Sequence, residues 1–265
     1  MAIVAPTANK EELRQRIFDA VQDMYAEVAS CPTKEFHFPI GRPACEGVGY
    51  PAAELNTLPL TAVESFAGVG YPFSANIIKN GDTVCDIGSG AGTDILIAAM
   101  KVGPSGKVYG IDFTDAMIEK SVENIRRSGF DTVSVLRGHA ESIPLPDGCA
   151  DVVTSNGVLN LVPDKPAAFR EIRRILKPGG SIQISDIVLG RELSEKSRDN
   201  PQLWAECIVG AIPETAYLEC IRKAGFAGPL VLRRADYFDR SSSSSTKAVA
   251  RQYGAVAITL TTTRS

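Results

Sequence analysis

The sequence lacks the features that identify several classes of protein. It has only two histidines, and its six cysteines include no Cys-x-x-Cys pair, so the spacing predicts neither a zinc site nor a disulfide framework. It has no block of basic residues, and its net charge of -3 argues against a nucleic-acid-binding surface. No apolar run reaches membrane-spanning length, and the start lacks a signal-peptide pattern. We therefore expect a cytoplasmic protein whose partners include neither nucleic acid nor membrane.

Short apolar runs alternate with helical patterns between residues 80 and 190, and this alternation is the main structural signal of the chain. The 265 residues, 44% of them hydrophobic, are enough for one large α/β domain with an appendage. The patterns predict strands over 83–87, 107–112, 132–137, 151–155 and 181–186, and helices over 95–101, 115–128 and 165–176. Such alternation is typical of a mostly parallel sheet with helices on both faces, which binds ligands at the carboxyl ends of its strands.

The regions on either side of this stretch differ from it in composition. Residues 10–29 predict an amphipathic helix, and the proline-, glycine- and aromatic-rich residues 31–60 predict an irregular lid. The elements predicted after residue 190 are a short helix over 203–212, a helix over 214–224, a flexible serine loop over 241–245 and a strand over 255–262. The expected regions are an N-terminal helix and lid-like segment (1–74), a ligand-binding domain (75–190) and a C-terminal acceptor-side region (191–265).

One segment, Val84 to Asp94, combines an acid with three alternate glycines. A hydrophobic run ends at Asp86, glycines follow at 88, 90 and 92, and a helical pattern begins directly afterwards. This arrangement predicts a strand, a tight turn and a helix, with the bare backbone of the turn open to a ligand. The spacing differs from the dinucleotide fingerprint, and the acid favours a cation over a pyrophosphate, so S-adenosylmethionine fits best. Asp112 ends the next predicted strand, where a carboxylate can bind both ribose hydroxyls.

Two groups of motifs resemble known enzymes. The segments VCDIGSGAGTD, VYGIDFTDAM, AESIPLPDGCADVV and LKPGGSIQISD resemble class I S-adenosylmethionine-dependent methyltransferases. The segments ESFAGVGYPF, SNGVLNLVPDK, ISDIVL and DNPQLWAECIVGAI more closely resemble the arsenite methyltransferase family. The resemblance, over residues 60–225, implies a Rossmann-like fold with a mostly parallel seven-stranded sheet and a small C-terminal α+β appendage. It also implies S-adenosyl-L-methionine as the cofactor and methyl transfer as the activity.

The resemblance further implies roles for particular residues. The residues expected around the methionine end of the cofactor are Asp86, Gly88, Ser89, Gly90 and Asn156. Asp112 is expected to hold the ribose. The residues expected around the adenine are Phe113, Met117, Ala140 and Glu141. His139 departs from the family pattern, because related enzymes often have an acid there that contacts the adenine amine.

Cysteines are the candidate residues for the methyl acceptor. Trivalent arsenic brings its own lone pair, so it needs soft thiolate ligands rather than a general base. Cys207 falls on a cysteine position of the arsenite methyltransferase family, whereas the family pattern Ser-Asn-Cys after the fourth strand is altered at Gly157. Cys45 and Cys31, in the N-terminal segment, are placed to supply a second or third thiolate. The expected catalytic residues are therefore Cys207, Cys45 and Cys31, with Cys207 and Cys45 as arsenic ligands.

Other functions fit the same sequence. Gly157 opens space beside the methyl group, which favours a small organic acceptor methylated on oxygen, nitrogen, sulfur or carbon. A cofactor-binding protein without transferase activity is a further alternative, although the complete glycine turn and Asp112 argue against it. A lone cysteine is also often a small buried apolar group, so both roles stay open for Cys207.

Overall fold

The computed structural model describes residues 7–193 and 208–265, which form a seven-stranded sheet with helices against it. The strands are β1 Thr83–Ile87, β2 Lys107–Asp112, β3 Val133–Arg137, β4 Ala150–Asn156, β5 Leu176–Val188, β6 Leu230–Ala235 and β7 Val256–Thr263. The helices are α1 Thr7–Ser30, α2 Gly41–Val48, α3 Ala52–Leu55, α4 Leu60–Val63, α5 Thr93–Val102, α6 Asp115–Ser128, α7 Lys165–Ile175, α8 Glu214–Lys223 and α9 Ser244–Tyr253. Single 3-10 turns occur at Pro72–Ala75, Leu159–Leu161 and Phe238–Arg240.

The order of the strands creates the ligand-binding crevice. The sheet has the order β3-β2-β1-β4-β5-β7-β6, in which β7 runs antiparallel to both of its neighbours. This confirms the predicted mostly parallel, class I methyltransferase fold. The order reverses at β1, which pairs with β2 on one side and with β4 on the other. Open α/β sheets bind ligands at such a switch point, outside the carboxyl ends of the strands.

Each face of the sheet has its own apolar core, because alternate strand residues point to opposite faces. Val84 of β1 belongs to the cluster that contains Ile95 of α5. Cys85 and Ile87, at the alternate positions of the same strand, belong to the cluster that contains Phe169 of α7. Burial on both faces makes the strands read as continuous hydrophobic runs, and this is why they were predictable from the sequence.

The N-terminal segment packs over the carboxyl edge of the sheet. Helix α1 lies against α6, and its C-terminal turn is fixed there because Ser65 Oγ donates to the carbonyl of Val28 at 3.0 Å. Lys120 Nζ donates to the carbonyl of Ala29 at 2.9 Å. Residues 31–60 contain α2 and α3, so this segment is more regular than predicted. Across the described ranges, no helix combines the length and apolar character needed to cross a membrane.

The C-terminal region differs from the prediction in three places. The serine-rich stretch is not a flexible loop, because Ser243 accepts the amide of Thr246 at 3.2 Å and begins α9. Strand β6 was not predicted, since it is an edge strand with mostly exposed side chains, including consecutive arginines at 233 and 234. The helix predicted over 203–212 lies partly outside the described residues, and the described part, 208–212, is a bend and turn.

Ser243→Ala removes the hydroxyl that caps α9. We expect the free energy of unfolding to fall by about 1 kcal/mol, the usual cost of losing a serine N-cap. Urea denaturation of the variant and of the unaltered protein measures the difference. Ser244→Ala is the matched control, because this neighbouring side chain is exposed. Equal losses in the two variants would contradict the capping role.

Candidate active site

The turn between β1 and α5 approaches the end of β2 with no side chain in between. The amides of Gly88 and Ser89 donate to the carbonyl of Ile111 at 2.7 and 3.1 Å. Gly90 has a φ of +52°, in the left-handed region that residues with a side chain rarely adopt. Its amide donates to Asp112 Oδ2 at 2.9 Å. The turn therefore holds the carboxylate at the end of β2 in place.

A cavity opens beside this turn, at the carboxyl ends of β1, β2 and β4, and encloses about 1040 Å³ of space including its open mouth. All ten residues predicted to bind the cofactor line it: Asp86, Gly88, Ser89, Gly90, Asp112, Phe113, Met117, Ala140, Glu141 and Asn156. The fold thus brings together residues from separate stretches of the chain. Their individual contacts with a cofactor stay predictions.

Three aspartates line the cavity and are nearly inaccessible to water. Asp86, Asp94 and Asp112 are exposed by only 2%, 6% and 8%. Burial raises the pKa of each group, because the charged form loses its hydration. The pKa of Asp94 rises to about 6, and the charge of Asp94 raises the pKa of Asp86 further. Asp94 was not among the predicted site residues, since an acid in the first turn of a helix is locally favourable without any ligand.

The protein leaves the negative charge of these groups uncompensated at the cavity. The hydrogen-bond donors are neutral: Thr154 to Asp86, Tyr50 and Asn156 to Asp94, and the amides of Gly90 and Thr114 to Asp112. No lysine or arginine is found among the described residues that line the cavity. The buried hydroxyl of Ser89 also has no hydrogen-bond partner within the described structure. These observations fit a ligand that is cationic and polar, as the methionine end of S-adenosylmethionine is.

Aromatic rings gather at the other end of the cavity. The rings of Phe113 and His139 stack with centroids 4.9 Å apart and planes 23° apart. Phe18 of α1 meets both rings edge-on, with centroid distances of 5.9 and 4.9 Å. Burial lowers the pKa of His139, and the charges of Arg14 and Arg137 lower it further, so the ring is neutral at pH 7. An uncharged aromatic surface of this kind suits an adenine ring.

Helix α1 closes one side of the cavity, a role that the sequence reasoning missed. Phe18, Val21 and Tyr25 line the cavity. Arg14, one turn before Phe18, forms an ion pair with Glu141 on the opposite wall. The amphipathic pattern indicated that this helix has a buried face, but such a pattern does not distinguish a face against a core from one against a ligand site.

Asn156 connects the cavity to the N-terminal segment. Its Oδ1 accepts the amides of Val69 and Gly70 at 2.8 and 3.2 Å. Its Nδ2 lies 2.9 Å from the hydroxyl of Tyr50 and 3.1 Å from Asp94 Oδ2. The side chain predicted at the methionine end therefore also fixes the turn at residues 68–70 against this end of the cavity.

The structure places neither Cys45 nor Cys31 at the cavity. Cys45 is fully buried in α2, and burial together with the charge of Asp94 raises the pKa of its thiol beyond the usual range. Cys31 is exposed, directly after α1. Cys207 lies outside the described residues. Within 7–193 and 208–265, no cysteine lines the cavity and no group of three histidine, cysteine or acidic side chains is arranged to hold a metal ion.

Gly157 lines the cavity directly after β4, where the sequence departs from the arsenite methyltransferase pattern. Its φ is +74°, which disfavours any residue with a side chain. A Cβ atom built there would lie only 3.2 Å from Val69 Cγ1. Glycine therefore suits the backbone conformation at this position, and the packing of the neighbouring side chain leaves little room for the side chain of a cysteine.

Comparison with known proteins gives a consistent result. The family model described as "Methyltransferase domain" matches residues 78–225. Curated arsenite methyltransferases from Halobacterium salinarum and Aquipseudomonas alcaligenes are 34% and 35% identical to this chain, over 68% and 70% of its length. The alignments cover 46% and 54% of those proteins, so the chain spans about half the length of these curated relatives.

Solved structures agree with the fold. An arsenic(III) S-adenosylmethionine methyltransferase from Chlamydomonas reinhardtii superposes with a TM-score of 0.63 at 28% identity, covering 85% of this chain and 73% of that one. The [4+2]-cyclase SpnF shares the fold with a TM-score of 0.60 at 21% identity, over 98% and 97% of the two chains. The family match over more than half of the sequence, on this strand order, shows that the chain belongs to the S-adenosylmethionine-dependent methyltransferase family.

Proposed function

We propose that this protein transfers a methyl group from S-adenosylmethionine to trivalent arsenic. The observation that supports the donor is a cavity with three buried carboxyl groups and, among its described lining residues, no lysine or arginine. The support for the acceptor is the similarity to curated arsenite methyltransferases at 34% and 35% identity, together with Cys207 at one of the family's cysteine positions.

The residues around the cavity bind and orient the donor. When bound, S-adenosylmethionine supplies an electrophilic methyl group on a positively charged sulfur. Each carboxyl oxygen of Asp112 accepts one backbone amide and keeps a lone pair for a ribose hydroxyl. Asp86 and Asp94 provide negative charge at the methionine end, where low exposure strengthens its attraction for a cation. Helix α1 covers one side of the cavity with Phe18 and Tyr25 and limits the access of water to the bound donor.

The acceptor is bound by thiolates. Arsenic(III) attacks with its own lone pair, so the protein has to align it with the methyl group and needs no general base. Cys207 is the first arsenic ligand in this proposal. Cys45 or Cys31 is the second, and the N-terminal segment has to rearrange for either thiol to reach the cavity, because neither lines it in this structure.

A small organic acceptor is the second candidate. It is favoured by the absence of cysteine from the described lining of the cavity, where Gly157 stands directly after β4. An oxygen or nitrogen acceptor gives up a proton, and Asp94, with a pKa of about 6, is a general base at the cavity for this reaction.

Methylated arsenic is measured after incubating the protein with arsenite, a thiol and S-adenosylmethionine. We expect methylarsenic products from the unaltered protein and a loss of at least about 100-fold in rate in Cys207→Ser, because a two-thiolate chelate loses one soft ligand. Cofactor affinity should stay the same. Cys220→Ser, on α8, is the matched control and should keep the full rate. An unchanged rate in Cys207→Ser would show that this thiolate is not an arsenic ligand. If the unaltered protein forms no methylarsenic, the organic acceptor becomes the favoured candidate.

Asp112→Ala should weaken binding of S-adenosylmethionine by about 10- to 100-fold, whichever acceptor is used, since hydrogen bonds to a charged group are lost. Isothermal titration calorimetry measures the dissociation constant. Asp147→Ala is the control, because this carboxylate is exposed and pairs with Arg174 outside the cavity. If both variants bind the donor as tightly as the unaltered protein, the ribose contact is wrong.

Donor binding should depend on pH through Asp94. In the free protein its pKa is about 6, and a bound cation stabilises the ionised form, so binding near pH 6 releases a proton. We expect affinity to increase with pH by up to about tenfold per unit below pH 6 and to level off above it. Calorimetry in buffers of different ionisation enthalpy counts the protons. Asp94→Asn should remove most of the release, and pH-independent binding by the unaltered protein would refute the mechanism.

A further inference from the structure

A buried lysine beside the cavity has no part in the mechanism above. Lys165 is only 4% exposed, although it is the first residue of α7. A cation at that position opposes the positive end of the helix dipole, and burying a charge removes its hydration. Neither local helix stability nor hydrophobic burial therefore explains this residue, so its role has to come from its tertiary contacts.

The ammonium group of Lys165 joins two segments that are distant in sequence. Its Nζ donates to the carbonyls of Asn160 and Val162 at 2.8 and 2.9 Å. It also donates to the carbonyl of Gly210 at 2.6 Å. The first two carbonyls belong to the loop after β4, whose residues Leu161 and Val162 line the cavity. The third belongs to residues 208–212, which directly follow Cys207 in the sequence.

A second buried group extends this connection. Asp186 of β5 is fully buried and accepts the hydroxyl of Tyr217 at 2.6 Å and the amide of Ile187 at 2.9 Å. Burial raises the pKa of Asp186 to about 7, against the opposing effects of its hydrogen bonds and of the charge of Lys165. The backbone of Asn160 also hydrogen-bonds to this carboxyl group. The loop after β4 is thus held from two sides by buried polar groups.

We propose that Lys165 is a positioning residue for the methyl acceptor, because it fixes the cavity wall after β4 relative to the segment that follows Cys207. The role rests on the proposed function, in which Cys207 holds the acceptor. Residues 208–212 are also tied to the residue after β5, because the amide of Leu189 donates to the carbonyl of Ile212 at 3.0 Å. Lys165 links this segment to the cavity wall through its side chain, so its loss loosens the two segments from each other.

Lys165→Met keeps the length of the side chain and removes its hydrogen-bond donors. We expect kcat/KM for arsenite to fall by at least about tenfold, while KM for S-adenosylmethionine changes by less than about twofold, because the lost hydrogen bonds join the loop after β4 to residues 208–212 and involve neither the glycine turn nor Asp112. Hydrogen exchange should accelerate in residues 158–162 and 208–212 together, and not in β1. Lys177→Met is the matched control, since this half-exposed lysine pairs with Asp151 at 2.7 Å away from the cavity.

The outcomes separate the two proposals. A folded Lys165→Met variant with unchanged arsenite kinetics, or with equal losses for arsenite and the donor, overturns the positioning role. If Lys165→Met does not fold, Lys165→Gln, which keeps two donor hydrogens and loses the charge, takes its place with a smaller effect in the same direction. If the unaltered protein does not methylate arsenite, the proposed function fails. Hydrogen exchange then still tests whether Lys165 joins the two segments, because its loss should accelerate exchange in both of them together.

Discussion

The site depends on negative charge that is buried without a cation beside it. The parallel register places Asp86 next to Gly110 and Thr154, so β1 ends in a carboxyl group between strands that offer only neutral donors. A chain folds with such a group only when other interactions offset the loss of hydration. The pKa values of Asp86 and Asp94 are higher in the folded protein than in the unfolded chain. The contribution of these two groups to the free energy of unfolding is therefore present at low pH and is lost as the pH rises through their pKa values in the folded protein. A bound cation reverses the loss, so the same feature that weakens the free protein gives donor binding its driving force.

The N-terminal segment completes the cavity that the sheet begins. The sheet edge supplies the glycine turn and the carboxyl groups, but α1 supplies a wall, and the turn at residues 68–70 is fixed by Asn156. The hydroxyl of Tyr50 reaches Asp94 from the same segment. Any movement of this segment therefore changes the hydrogen bonds of this carboxyl group in the cavity. Any thiol carried by the segment, such as Cys45 in α2, changes its distance from the methyl group only if these contacts change as well.

The sequence predicted the parts of the protein that depend on local patterns. Strands buried on both faces, the glycine turn and the acid at the end of β2 have short-range signals, and the ten predicted cofactor residues do line one cavity. Asp94 and α1 were missed because their roles arise from what lies across the cavity, which no local pattern records. Strand β6 escaped prediction because its apolar run is short, from Leu230 to Leu232, and two arginines follow it directly. The serine stretch was misread as flexible because composition alone does not show that Ser243 caps a helix.

The two ends of the cavity are held by different means, and this difference bears on the acceptor. The donor end is made of strand termini and a turn bonded to backbone, which are rigid. The acceptor end is bounded by Gly157 and by the loop after β4, and Lys165 joins this loop to residues 208–212. With glycine in place of a strand-end thiol, an arsenic chelate has to be built from segments held in this second way, so its geometry depends strongly on their relative position. An organic acceptor makes no such demand, because it needs no thiolate at this position. The backbone conformation of Gly157 is therefore the point at which the two acceptor chemistries diverge.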